Sequence, residues 1–232
     1  QTSAQQLALQ LQALVQQGCT SDKQSSADNV SEQIAYPSEE HLFKALRIFR
    51  RRTQIHIIWR DLLRLAKTMD TTRMLSDMAD VCIHQALDYA HHTLAQKHGQ
   101  PMGKVSKEEQ RLLVLGMGKL GAYELNLSSD IDLIFCYPES GSTTGNAEGR
   151  RELSNQEFFI KVGQKLIQAL DNTTIDGFVF RTDMRLRPYG ESGPLVMNFA
   201  SLAEYYQNQG RDWERYAMVK ARIITSEGLA SA

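Results

Sequence analysis

Two short apolar runs joined through a glycine turn constrain this chain most. The first is Arg111-Leu112-Leu113-Val114-Leu115, and Gly116-Met117-Gly118-Lys119-Leu120-Gly121 follows at once. The second runs from Leu133 to Tyr137. Both runs have the length and residue types of buried strands. Asp130 and Asp132 stand where the second strand begins. Side chains two apart on a strand share a face, so both carboxylates point into one small volume. Like charges so placed raise each other's pKa unless a cation neutralises them. Mg²⁺ is the simplest neutraliser, since it takes a few carboxylates together with phosphate oxygens. A D-x-D at a strand start therefore suggests metal-assisted phosphoryl or nucleotidyl transfer. The plainer alternative is a solvated strand end with two exposed acids.

The glycine turn is a literal G-x-G-x-x-G after a strand, which invites a dinucleotide-binding reading. That reading wants one acid about twenty residues on, at the end of the next strand, for a ribose hydroxyl. Here the acids come sooner, at the start of the strand, and there are two. No regular β-α-β continuation follows. The same physics serves phosphate instead. Gly116 and Gly118 let backbone N–H groups approach an anion, the helix that follows offers its positive end, and Lys119 adds a mobile charge. A tight turn without a ligand is the remaining option.

The chain changes character near residue 105. Before it, the apolar residues fall at helical spacing. Residues 4–17 form one helix, with Leu7, Leu11 and Leu14 on one side. Residues 18–36 read as a flexible loop rich in Ser, Asp, Asn and Gln. Ser38, followed by Glu39 and Glu40, starts a helix that runs to about Lys67. Its stripe is Leu42, Leu46, Phe49, Ile57 or Ile58, Leu62 and Leu65. Arg47, Arg50, Arg51 and Arg52 crowd its middle and read as solvated charge, with a phosphate-facing patch as the alternative. A second long helix over about 72–97 carries Met74, Met78, Val81, Leu87 and Leu94 as core. His91 and His92 point about 100° apart on it, a poor metal pair, and read as exposed or as favourable near the helix's negative end. Gly99 and Pro101 end it.

After residue 105 come the two strands and a Gly/Ser/Thr-rich loop at 139–149. A helix from Ser154 to Leu170 follows, opened by the capping box Ser154-Asn155-Gln156-Glu157. A strand over Gly177–Met184 is next, then a helical remainder over 199–232 with Phe199, Leu202, Tyr205 and Tyr206 in contact positions. Trp213 and Tyr216 read as core. The predicted domains are 1–104, helical, and 105–232, a sheet core with C-terminal helices.

Composition excludes some classes. The 232 residues carry a net charge of −1, with 42% apolar residues, which disfavours a general nucleic-acid binder. No apolar run approaches the roughly 18 residues of a membrane span. The N-terminus lacks a signal-peptide pattern. Cys19, Cys82 and Cys136 match no zinc or disulfide spacing and fit a reducing cytoplasm, with Cys136 as a small core residue.

The glycine turn, the eleven residues from Lys119 to Ser129, the D-h-D and a later strand carboxylate together resemble the DNA polymerase β-like nucleotidyltransferases. The later carboxylate is Asp183 in F-R-T-D-M-R-L-R-P. One departure is visible: that superfamily usually has Gly-Gly or Gly-Ser in the turn, whereas Met117 separates the glycines here. Three longer strings look like the bacterial glutamine synthetase adenylyltransferase/adenylyl-removing enzymes. They are G-M-G-K-L-G-A-Y-E-L-N-L-S-S-D-I-D-L-I-F, R-L-R-P-Y-G-E-S-G-P-L-V and G-R-D-W-E-R-Y-A-M-V-K-A-R. The S-S-D-I-D and R-D-W-E-R-Y-A strings resemble the N-terminal, adenylyl-removing half of that family. The resemblance is strong over 111–222, general over the helices at 38–98, and slight over 1–36.

The resemblance implies an α+β fold: a nucleotidyltransferase core with a small mixed sheet, flanked by long helices. It implies phosphorolysis of an adenylylated tyrosine of glutamine synthetase, with inorganic phosphate attacking and ADP leaving. Asp130, Asp132 and Asp183 would hold Mg²⁺, and Gly116, Gly118, Lys119 and Ser129 would line the phosphate path. Arg185 and Arg187 alternate along the strand of Asp183 and either reach phosphate oxygens or pair with the aspartates. Asp212, Glu214, Arg215, Lys220 and Arg222 either contact substrate or form a supporting salt-bridge network. Other implied partners are an adenine nucleotide and, through the full-length chain, the PII signal protein. The forward, ATP-consuming adenylyltransferase and a regulatory module with a degenerate site are the competing readings.

Overall fold

The computed structural model describes residues 3–22, 37–145 and 152–225. Three long helices come first: α1 (Ala4–Asp22), α2 (Glu39–Leu62) and α3 (Thr68–His98). The helix predicted over 4–17 therefore continues to Asp22, and the rest of the loop expected at 18–36 lies outside the described residues. Ser38 caps α2 by accepting from the His41 backbone N–H, so the chain enters the helix where the sequence indicates. No strand falls within α2 or α3, and the α+β class predicted from the resemblance is the one the molecule adopts.

The C-terminal half of the α2 stripe does not hold. Leu42, Leu46, Phe49 and Ile57 are buried, but Leu62 is 70% and Leu65 67% exposed. At about 100° per residue Leu62 falls on the face of α2 opposite Leu42, and the helix stops there, so Leu65 lies beyond the left-handed turn at Arg64. The arginine cluster divides in the same way. Arg51 and Arg52 are exposed, whereas Arg47 is only 1% exposed.

A buried guanidinium needs acceptors, and Arg47 finds four. Its Nε donates to the Gly177 carbonyl at 2.8 Å and its Nη1 to the Phe43 and Ala169 carbonyls at 2.9 and 3.3 Å, while Nη2 donates to the Asn172 carbonyl. Ala169 and Asn172 belong to the C-terminal end of α5 (Asn155–Asp171) and its cap, where helix carbonyls lack intrahelical partners. Arg47 thus staples α2 to the end of α5, and solvated charge is the wrong description for it.

His91 is a second correction. It is buried, its ring lies edge-on to Phe158 at 5.5 Å, and Glu109 is 3.5 Å away. Burial, with Arg111 adding to it, lowers its pKa to about 4, so the imidazole is a neutral packing group between α3 and α5 at neutral pH.

The sheet is small and mixed. β2 (Leu113–Gly116) pairs antiparallel with β3 (Ile131–Tyr137) and, on its other edge, with β7 (Arg222–Ile223). The far edge of β3 is shared by two parallel partners: β5 (Thr182–Asp183) at its start and β6 (Val196–Asn198) at its end. A strand paired on both edges and covered by helices reads as a continuous apolar run, and β3 has six buried residues of seven. Helix α5 lies on this sheet so closely that a Cβ at Gly163 would come within 2.9 Å of Phe135. Helix α3 packs along α5, and one buried cluster runs from Leu7 through Met78 and Phe158 to Ile224. A separate two-stranded ladder joins β1 (Pro101–Gly103) to β4 (Gly141–Thr143).

Three further expectations change. The loop predicted at 139–149 contains β4, and its remainder from 146 lies outside the described residues. The strand predicted over Gly177–Met184 is formed only at Thr182–Asp183. Val179 and Phe180 upstream instead donate their backbone N–H groups to the Leu170 carbonyl at 2.9 and 3.0 Å. The stretch after residue 199 is helical in α6 (Phe199–Asn208) and α7 (Asp212–Ala217), but returns to the sheet as β7. Trp213 and Tyr216 are 51% and 79% exposed rather than core, because α7 is short and lies at the rim. Cys136 is buried as expected, its thiol pushed up to about 12 by that burial.

Candidate active site

The site forms where β2 and β5 end and β3 begins, beside the glycine turn. Asp132 is the second residue of β3, and its register partner on the neighbouring parallel strand is Asp183. The two carboxylates therefore stand side by side. Asp130 precedes β3 by one residue and is exposed.

The turn is built against Asp132. Gly118 has φ +53°, and a Cβ there would sit 3.1 Å from Asp132 Oδ2, so glycine both permits the left-handed backbone and keeps this approach open. Met117 donates its N–H to the Asp132 carbonyl at 2.9 Å, and its side chain is fully buried. Its burial explains the departure from Gly-Gly: the residue between the glycines faces the core. Gly121 closes the turn, since a Cβ there would meet the Lys220 carbonyl at 1.9 Å. Gly118, Lys119, Leu120 and Gly121 form the one-turn helix α4.

The cations are distributed unequally. Lys119 Nζ donates to Ser129 Oγ at 3.2 Å, and Ser129 in turn donates to Asn126 Oδ1 at 2.7 Å. Arg185 grips Asp183 with Nη2 at 2.5 Å and Nε at 2.9 Å, the ion-pair alternative foreseen for it. Arg187 does not share the Asp183 face, because the strand ends at Asp183. Its guanidinium donates to the Met184, Glu191 and Gly193 carbonyls and holds together the turn after β5. Arg181 lies two residues before Asp183, and sequence reasoning missed it. Its Nε is 2.6 Å from Asp130 Oδ1 and its Nη2 donates to the Ser128 carbonyl. The same two-residue alternation used for Arg185 and Arg187 marks it in the sequence.

Among the described residues Asp132 has no arginine of its own. Burial first, then the charges of Asp183 and Asp130, raise its pKa above the ordinary carboxylate range, with Arg185 and Lys119 opposing. Asp183 is held below that range by the hydrogen bond from Arg185. Among the described residues no three His, Cys, Asp or Glu side chains are already grouped to hold a metal ion, because Asp130 and Asp183 face arginines. Those arginine side chains are 60% and 71% exposed, and exposed ion pairs are worth about 0–1 kcal/mol, so exchanging them for a divalent cation costs little. An oxygen-only set with excess negative charge centred on Asp132 suits a hard cation such as Mg²⁺.

The charged residues after α6 support the site from behind. Arg222 pairs with Asp80 of α3 through Nη1 at 2.8 Å and Nη2 at 3.0 Å, and donates to the Leu120 and Gly121 carbonyls of α4. Its guanidinium also lies 3.8 Å from the Tyr123 ring, whose centroid is 3.6 Å from Arg73. Glu214 is buried and accepts from Tyr205 Oη at 2.6 Å and from the Arg211 backbone N–H. Lys220 pairs with Glu124 at 2.6 Å.

Known proteins have similar sequences. The chain is 61% identical to the bifunctional glutamine synthetase adenylyltransferase/adenylyl-removing enzyme of Pseudomonas aeruginosa over 186 residues, 80% of this chain and 19% of that protein. It is 55% identical to the protein of the same name from Pseudomonas putida over 198 residues, 85% of this chain and 20% of that protein. The corresponding Nitrosococcus oceani protein is 53% identical over 190 residues, 82% of this chain and 19% of that protein. The chain thus spans about a fifth of the length of the curated relatives it matches. The profile of the glutamate-ammonia ligase adenylyltransferase family matches residues 2–231, and with it the glycine turn, the paired aspartates and the flanking helices just described: the chain belongs to that family.

Proposed function

We propose that this chain removes AMP from an adenylylated tyrosine of glutamine synthetase by Mg²⁺-dependent phosphorolysis, releasing ADP. The observation that carries the nucleotidyl-transfer chemistry is the register of Asp132 with Asp183 beneath a glycine turn whose Gly118 leaves Asp132 Oδ2 open. The names of the relatives supply the protein substrate. The S-S-D-I-D and R-D-W-E-R-Y-A strings, which resemble the adenylyl-removing half, supply the direction.

In this reading Asp132 and Asp183 would hold Mg²⁺, with Asp130 joining them once Arg181 and Arg185 turned to the substrate's phosphate oxygens. When bound, the ion supplies positive charge to the α-phosphoryl group and the departing phenolate. The chain's own groups position the reactants. The backbone of the glycine turn and Lys119 face the α-phosphoryl oxygens, and Ser129 keeps Lys119 in place. An oxygen of HPO₄²⁻ forms the new bond to the α-phosphorus, the bond from phosphorus to the tyrosine oxygen breaks, and the proton of the hydrogen phosphate ends on that oxygen. The products are ADP³⁻ and tyrosine, so charge and atoms balance. A phenol leaves readily, having a pKa near 10. Arg187 is engaged with the Met184, Glu191 and Gly193 carbonyls. The reading places the protein in the cytoplasm, with PII acting through the full-length chain. No helix among the described residues is long and apolar enough to cross a membrane.

The test is incubation with adenylylated glutamine synthetase, Mg²⁺ and phosphate, with the nucleotide product identified. Phosphate-dependent ADP is expected. ATP consumption with modification of unadenylylated glutamine synthetase, and no ADP release from phosphate, would assign the chain to the forward reaction. No turnover in either direction would mark a regulatory module.

A further inference from the structure

Arg50, on α2, lies outside the site described above and is held in an unusual state. Its Nε is buried and donates to no group among the described residues, and its guanidinium stands 5.1 Å from the centre of the Phe178 ring. No carboxylate among the described residues pairs with it, whereas its neighbour Arg51 has Asp176. The titratable group beside it is the Cys82 thiol, which burial keeps protonated. Burial correspondingly lowers the pKa of Arg50. A partly desolvated cation with no counter-charge is costly, and an anion removes the cost.

Arg50 lines a small cleft of about 40 Å³, together with Gln54, Asn126, Ser128, Ser129 and Arg181. By the same measure one water needs about 10–15 Å³. The cleft therefore has room for a compact tetrahedral oxyanion and is too small for a nucleoside. Two of its lining residues belong to the active site. Arg181 reaches Asp130, and Ser129 holds Lys119. The cleft is thus connected by single side chains to the groups that handle the α-phosphoryl group, while Arg50 closes its other side from the helical layer.

We infer that this cleft binds the inorganic phosphate used in the reaction and that Arg50 is its anchoring cation, an assignment that rests on the phosphorolysis reading. The remaining lining, Leu75, Met78, Leu127, Phe178 and Phe180, is apolar, so the charge for an anion of two negative charges comes from Arg50 and Arg181, whose forks match phosphate oxygens.

The test uses the full chain with Arg50→Met, which keeps the aliphatic stem, and Arg50→Lys, which keeps the charge but loses the fork. Phosphate-dependent ADP release from adenylylated glutamine synthetase is measured over a range of phosphate concentrations. Losing a hydrogen-bonded charge of this kind costs about 10-fold or more, so KM for inorganic phosphate should rise at least about 10-fold in Arg50→Met. It should rise less in Arg50→Lys, with KM for the protein substrate unchanged in both. Titration calorimetry with inorganic phosphate, and separately with ADP, supplies a second readout. Wild-type KM for phosphate in both variants would overturn the assignment while leaving phosphorolysis intact. Arg50-dependent binding of ADP without binding of free phosphate would also overturn it, by giving the cleft to a nucleotide's terminal phosphate. If the wild type released no ADP but bound phosphate through Arg50, the anion cleft would stand and the phosphorolysis reading would fall. Should Arg50→Met not fold, Arg50→Lys and the calorimetry decide.

Discussion

Asp132 concentrates the electrostatic tension of the molecule. Its carboxylate is half-buried beside Asp183 and Asp130, and its pKa is raised. The folded protein therefore binds this proton more tightly than the unfolded chain does. The stability that results is fully present below the unfolded-state value of about 3.9 and is lost as pH rises through the higher folded-state value. At neutral pH the ionised group opposes folding. Asp132→Asn should accordingly raise Tm at pH 7 and flatten the decline of stability above pH 4, while turnover falls by at least about 10²–10³. Mg²⁺ should raise the Tm of the wild type by mass action and leave Asp132→Asn unmoved. Thermal melts with and without Mg²⁺, beside turnover assays, check this. A less stable Asp132→Asn protein would show that the aspartate is structurally required rather than strained. The spacing of Asp130 and Asp132 around the start of the strand was legible in the sequence, although Asp130 stands just outside β3. The pairing of Arg185 with Asp183 was one of two alternatives the sequence offered, whereas that of Arg181 with Asp130 was not seen, since it depends on how the chain enters β5 beside the start of β3.

Among the elements, α2 shows how one helix can carry charges of opposite structural meaning. Arg47 and Arg52 are five residues apart in an arginine-rich run, yet Arg47 satisfies four carbonyls around the end of α5 and Arg52 is exposed. Removing the donor leaves buried acceptors unpaired, at about 1–3 kcal/mol each when fully desolvated. Arg47→Met should destabilise the protein by about 3 kcal/mol, and Arg52→Ala by less than about 0.5 kcal/mol, in urea unfolding. Equal small effects would mean that water replaces Arg47 at the α5 end. The helices, their caps at Ser38 and Ser154 and the strands β2 and β3 could be read from periodicity and capping chemistry. The short strands β5, β6 and β7 could not. With two or three residues each, they lack a period of their own and exist only because β2 and β3 offer free edges.

Across the whole molecule, Arg222 ties the helical layer to the glycine turn. It joins Asp80 of α3 to the Leu120 and Gly121 carbonyls of α4, and the pair is little exposed. Breaking a buried pair by removing one partner costs about 3–5 kcal/mol. Arg222→Met should therefore destabilise by about 3 kcal/mol and also lower kcat through the position of Lys119, with KM for the protein substrate held. A double-mutant cycle with Asp80→Asn should give a coupling of at least about 1.5 kcal/mol; additive effects would show that the two residues act separately. The amino-acid order alone specifies the helix-then-sheet plan, the glycine turn and the spacing of Asp130 and Asp132, because these rest on patterns among residues within a few positions of each other. The destiny of each charge was settled by folding. Arg47 is buried, Arg50 has no counter-ion among the described residues, Arg181 and Arg185 bind aspartates, and Arg222 reaches α3. In sequence all are simply cations, and their energies depend on desolvation and on partners that, for Arg47 and Arg222, lie more than a hundred residues away.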